Sequence, residues 1–272
     1  MQAEFAPLEA PPKSPVATLE EAVDRMVAID AKLAPGDGVR YFNTLYLEVT
    51  REVVARLSGD ELEDPRFLSR LAVLFSNAYF RALEDFDRGV TAAEGASRAW
   101  RPLFAARFDR QVAPIQFALA GMNAHINYDL PIGVRDTCRD FGIAPVDGSP
   151  QHRDYVRLNE ILGAVQERVK PWLATGLIGW IDRTFGRLDD VVAGFSVARA
   201  RDAAWFHAQI LWSMRDDRDL SAAYLRTLDR MVGFAGHGLV VPTLLGLGRW
   251  VEAQPWLPRP AWPLLGSPPG SF

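Results

Sequence analysis

The chain has 272 residues, 49% of them apolar and 24% charged, so it can bury a sizeable core and is not a disordered polymer. A net charge of −4 and a pI near 5.6 argue against an electrostatic nucleic-acid binder. The single Cys138 excludes an internal disulfide framework and any cysteine-based zinc cluster.

In chain order, residues 1–16 form a Pro-rich arm with acid at Glu4 and Glu9, which lacks the basic-then-apolar order of a signal peptide. Thr18-Leu-Glu-Glu21 and Thr91-Ala-Ala-Glu94 are capping-box patterns, and Asp64-Pro65 is an N-cap with proline at the first helical position. Stop signals fall at Pro35-Gly36, Gly59, Gly89, Pro131 and Gly148. Periodicity and these signals predict helices near 18–33, 39–57, 65–87, 91–107, 112–130, 151–170, 175–185, 188–215, 220–234 and 239–251. No two-residue alternation argues for a sheet. The expected architecture is all-α: one bundle-like domain over residues 17–252, of about nine or ten helices, followed by a Pro/Trp-rich tail over 253–272. That tail is too apolar for a free linker and is a surface through which a homo-oligomer could form. No apolar run is long enough to span a bilayer, so a cytoplasmic protein without a membrane span is expected. The basic residues comprise 27 Arg and only 3 Lys (Lys13, Lys32, Lys170), a skew that suits a GC-rich bacterial coding sequence.

Helix projection turns three polar groups inward. In 115–130, His125 and Asp129 lie in the middle of a wide apolar arc, about 40° apart at ~100° per residue, with Gly121 and Ala118 beside them. An imidazole and a carboxylate one turn apart can hydrogen-bond, which orients the ring and raises its basicity. The same two side chains are the metal ligands if a single divalent metal binds; otherwise no cofactor is evident. Gln116, Asn123 and Asn127 form a separate stripe. In 39–57, Asn43, Tyr46 and Thr50 fall inside the apolar arc, a set suited to orienting a substrate or to bracing a neighbouring helix. In 188–215, Arg201 lies among Val197, Ala204, Trp205 and Leu211. An inward Arg needs an anion, because it cannot discharge itself by losing a proton. Asp129 is the internal candidate, and a substrate carboxylate or phosphate is the functional one.

Phosphate loops, nucleophile elbows, zinc-protease pairs and dinucleotide fingerprints are missing. Arg215-Asp-Asp-Arg-Asp219 has the wrong spacing for an acidic metal-diphosphate motif, which leaves an isoprenoid diphosphate cyclase as a remote reading. The segment from Pro114 to Leu130, with Gly121-Met-Asn-Ala-His-Ile-Asn-Tyr-Asp-Leu130 at its centre, resembles the signature of an uncharacterised, mainly actinobacterial family catalogued as a domain of unknown function. Phe42-Asn43, Tyr46, Val49-Thr50 and Arg201–Trp205 resemble its outer motifs. The resemblance implies an all-helical domain and points to Asn123, His125, Asn127 and Asp129; it implies no reaction.

The expectation is an enzyme acting on a small, largely apolar metabolite in a pocket between helices, in bacterial specialised metabolism. His125 serves as general acid or base, Asp129 orients it and Arg201 holds a carboxylate, phosphate or developing oxyanion. Asn43, Tyr46, Thr50, Asn127, Tyr128 and Trp205 position the substrate. The rivals are a non-catalytic protein binding a lipid, isoprenoid or pigment, and a structural protein with a buried His-Asp-Arg network that leaves no cavity beside Gly121.

Overall fold

A computed structural model describes residues 14–159 and 196–241, and every regular element among them is helical. Helix α1 (Leu19–Lys32) begins on Thr18, whose hydroxyl accepts from the Glu21 N–H at 3.2 Å. The Glu21 carboxylate reaches back to the Ala17 N–H at 2.6 Å, so the first capping signal reads as expected. Asp37 caps α2 (Gly38–Leu57), and Asp64 caps α3 (Pro65–Asp87) with Pro65 at its first turn. Helix α4 (Arg101–Ala106) is short. Helix α5 (Pro114–Ala124) runs through a π-turn (His125–Asp129) into α6 (Leu130–Phe141). Gly142, in the left-handed conformation at φ 66°, ends α6. A further helix, α7, is described over 150–159, followed by α8 (Val197–Ser213) and α9 (Arg218–Leu239).

Three departures from the expected boundaries have physical causes. The stop at Pro131 does not occur, because the Leu130 N–H bonds to His125 O five residues back and the helical register changes there. Pro131 follows at that junction, so its missing N–H falls where the ladder is already rearranged, and α6 continues. The helix expected over 91–107 is helical only over 101–106. Thr91 and Glu94 close a turn instead, and the Ser97 hydroxyl and the Arg98 and Ala99 N–H groups all donate to the Asp229 carboxylate. Those donors are spent on a tertiary contact before a helix can use them. The boundary expected at 234 lies at 239, since Gly233 and Gly236 serve close packing rather than termination. A Cβ on Gly233 would come within 2.6 Å of the Arg98 carbonyl oxygen, and one on Gly236 within 3.0 Å of Pro102.

The stretch 188–195, the helix expected over 175–185, the remainder of those over 151–170 and 239–251, residues 1–13 of the arm and the tail lie outside the described residues. The last part of the arm is held on α3, where Val16 and the Asn77 amide exchange two hydrogen bonds of 2.9 Å.

Helix α5 packs between α2 and α9, α6 packs on α3 and α8, and the π-turn touches α3, α8 and α9. Two apolar clusters meet at that turn. One gathers Phe42, Tyr46, Tyr79, Trp100 and Phe117, and the other Phe67, Ile126, Leu130, Tyr155 and Trp205. Gln116 and Asn123, expected as a stripe away from the apolar face, are buried against α9. The Gln116 amide donates to Leu239 O and Val241 O at 2.8 and 2.9 Å, and the Asn123 amide to Val232 O at 3.0 Å. No helix among the described residues is long and apolar enough to cross a membrane.

The glycines of α9 separate packing from propensity. Gly233→Ala should lower the unfolding free energy by about 1–3 kcal/mol through overlap with a backbone carbonyl that cannot rotate away. Gly238 has open space around it, so Gly238→Ala should raise stability by about 0.5–1 kcal/mol. Urea unfolding of the two variants should move in opposite directions.

Candidate functional site

The π-turn carries the site. Its extra residue per turn alters the angular relation of the side chains, and such turns recur at functional positions. His125 Nδ1 and Asp129 Oδ2 lie 3.0 Å apart, both buried. The same oxygen accepts the Trp100 indole N–H at 2.9 Å. Asp129 Oδ2 therefore joins α4 to the π-turn and fixes the imidazole edge that faces it.

Around the imidazole stand aromatic rings from three elements. Phe75 of α3 lies parallel to it at 3.4 Å between centroids, and Tyr46 of α2 meets it edge-on at 4.4 Å. Phe42 and Trp100 follow at 5.6 and 5.7 Å. Nε2 is the one buried side-chain nitrogen or oxygen among the described residues without a hydrogen-bond partner. Buried polar groups are nearly always paired, and an exception calls for a cause.

Burial in this ring cluster pushes the His125 pKa well below its ordinary value, so the imidazole is neutral. Burial pushes the Asp129 carboxyl well above its own, against the pull of the Trp100 N–H toward the ionised form. The pair thus carries at most one negative charge. With a carboxylate at Asp129, the Trp100 and His125 Nδ1 hydrogens both point at Oδ2, and the lone pair of the imidazole is on Nε2.

The other expected site residues are placed as follows. Tyr46 presents its ring to His125 while its hydroxyl exchanges a 2.8 Å hydrogen bond with Ser76. Asn43 is a brace, donating to Met26 O at 3.0 Å and accepting from the Tyr79 hydroxyl at 3.2 Å. Thr50 bonds back to Tyr46 O in its own helix at 2.8 Å. The Asn127 amide donates to Asn123 Oδ1 at 3.1 Å, and Tyr128 is half-buried beside it. Trp205 donates its indole N–H to Asp147 Oδ1 at 3.0 Å. Arg201 is buried as expected but does not pair with Asp129. Its Nε donates to Asn159 Oδ1 at 2.7 Å and its Nη2 to Tyr155 O at 2.6 Å, because α8 turns that side chain toward α7. The expected His-Asp-Arg network is therefore a Trp-Asp-His network, with Arg201 elsewhere. Among the described residues no third metal-ligating side chain joins His125 and Asp129.

Trp100 and Phe75 escaped the sequence reading. The one available signal for Trp100 was that a buried indole N–H demands an acceptor; nothing in the spacing names Asp129 as that acceptor. The space beside Gly121 is filled by Phe42, whose ring would overlap any Cβ placed there.

A family model of unknown function, DUF5995, matches residues 19–242 and so spans every residue of this site. The chain belongs to that family. No curated protein and no solved structure matches it. Membership in DUF5995 carries no reaction with it.

The pair's electrostatics predict a pH signature. In Asp129→Asn, His125 is the titrating group of the pair. A base whose pKa is lower in the folded than in the unfolded chain binds more protons when unfolded, so stability is retained above its ordinary value of 6.5 and lost as pH falls below it. Denaturant unfolding of Asp129→Asn should lose about 1.4 kcal/mol per pH unit below that point, and the double variant His125→Gln/Asp129→Asn should lack this slope.

Proposed function

We propose that the protein is an acid–base enzyme acting on a small, largely apolar molecule, with His125 as the group that moves the proton. The observation that carries this reading is the unpartnered Nε2 on an imidazole whose other nitrogen is held by Asp129. That arrangement presents a lone pair at a defined atom, with a carboxylate in place to stabilise the imidazolium formed when the proton arrives. The rings of Phe42, Tyr46, Phe75 and Tyr79 favour an uncharged, largely apolar substrate and keep water from the reacting atoms. Phe75, half-buried and stacked on the imidazole, is the side chain whose rotation opens the ring to a ligand. Trp100 and Asp129 act as positioning residues, holding the Nδ1 tautomer.

A second reading treats the dyad as structural, and one observation favours it: Phe42 fills the space beside Gly121, leaving no cavity on that side. Proton exchange separates the two. Wild-type protein incubated in D2O with a panel of small apolar compounds should catalyse conversion of at least one of them, or deuterium incorporation into it, read by mass spectrometry. His125→Gln should lose ~10²–10⁴ of that rate while staying folded. The structural reading instead predicts no wild-type exchange, together with retained folding in His125→Phe/Asp129→Leu, since apolar replacement of a buried polar pair is often neutral or stabilising.

A further inference from the structure

Arg201 is a buried guanidinium whose hydrogen-bond partners among the described residues are neutral. It is 6% exposed, with Nε on the Asn159 side-chain oxygen and Nη2 on the Tyr155 carbonyl. The Tyr155 ring lies 4.1 Å beneath the guanidinium carbon, and the Tyr155 hydroxyl returns a 2.7 Å hydrogen bond to Arg201 O. The side chain is thus clamped between α7 and α8. No carboxylate forms an ion pair with it among the described residues; the next residue, Asp202, is exposed and makes none, while Asp129 is committed to Trp100 and His125. Burial disfavours the charged form and the neighbouring Asp202 charge favours it, and because arginine keeps its proton in proteins the cation persists without an ion-paired carboxylate among the described residues. Nε and Nη2 share one edge of the guanidinium fork. Nη1 makes no hydrogen bond among the described residues, and it is the end of the fork through which a planar oxyanion is gripped.

We infer that Arg201 is the anchor of an oxyanion-binding site between α7 and α8, which takes a carboxylate or phosphate group of a small molecule. Asn159 and Tyr155 are its positioning residues: they hold the fork so that little side-chain entropy is lost on binding. The site shares no contacting residue with the His125–Asp129 pair, so it stands whether or not that pair is catalytic.

The test is thermal unfolding at constant ionic strength, with sodium chloride replaced stepwise by inorganic phosphate, acetate or hexanoate. Wild type should show a saturable rise in Tm of a few degrees with at least one oxyanion. Phosphate ahead of hexanoate identifies a phosphate group, and hexanoate ahead of acetate a carboxylate on an apolar body. Arg201→Met should lose the rise, and His125→Gln should keep it, which separates this inference from the acid–base reading. If Arg201→Met does not fold, Arg201→Lys decides: it retains charge but not the fork, and should weaken oxyanion binding at least tenfold by isothermal titration. The absence of a saturable rise in wild type, an equal rise in Arg201→Met, or undiminished binding by Arg201→Lys would each overturn the assignment.

Discussion

One carboxylate oxygen organises the centre of this molecule. Asp129 Oδ2 accepts the Trp100 indole and faces the His125 imidazole, so a single acceptor ties the short α4 to the π-turn and sets the direction of the ring. When Asp129 is ionised, hydrogen bonds to its charged oxygen in this low-dielectric surround contribute more than neutral ones, about 1.5–3 kcal/mol each. Leaving such an acceptor unpaired would cost at least as much. The aromatic rings that exclude water from the pair also make its geometry exacting, since neither Asp129 nor His125 has a solvent alternative. Burial acts on both groups in opposite directions, lowering the affinity of the imidazole for a proton and raising that of the carboxyl.

The scaffold holds that centre by polar side chains used as braces. Gln116 and Asn123 take the carbonyls of α9, Asn43 joins α1 to α3 through Met26 O and the Tyr79 hydroxyl, and Asp229 gathers the backbone of 97–99. Each spends a strong donor or acceptor on another element's backbone, which specifies a helix position more sharply than apolar contact does. Close approach at Gly233 and Gly236 then brings α9 against residues 98–102, next to Trp100. The orientation of the indole is thus a consequence of contacts made by α9, distant in sequence.

Much of the helical architecture was legible because its signals are local. The Thr18 and Asp64 caps, the proline at position 65 and the apolar periodicity of α2 and α3 all act within a turn or two of themselves. The proximity of His125 and Asp129 was legible for the same reason, being a spacing within one segment. Signals that depended on a partner misled. Pro131 reads as a stop until the π-turn absorbs it, the Thr91–Glu94 box heads a turn rather than a helix once Asp229 claims the following N–H groups, and the helix boundary read at 234 gives way to one at 239, with Gly236 packed against Pro102. Asn43, Thr50 and Asn127, read as substrate-positioning groups, make hydrogen bonds to backbone carbonyls, the Tyr79 hydroxyl and a neighbouring amide, partners the sequence did not name.

By itself the chain of 272 residues determined an acidic, helical protein with a single cysteine, and it turned His125, Asp129 and Arg201 toward apolar surface. Those properties follow from composition and from the 3.6-residue period, both readable without partners. Apart from the His125–Asp129 contact within one segment, which inward groups meet was decided by tertiary structure. A helix face says that a side chain points inward but not what stands opposite, and the opposing groups come from segments as distant as Trp100 is from Asp129 and Tyr155 from Arg201. The arginine that composition treats as one of many became a clamped cation, and the histidine became a neutral imidazole whose Nε2 has no hydrogen-bond partner among the described residues.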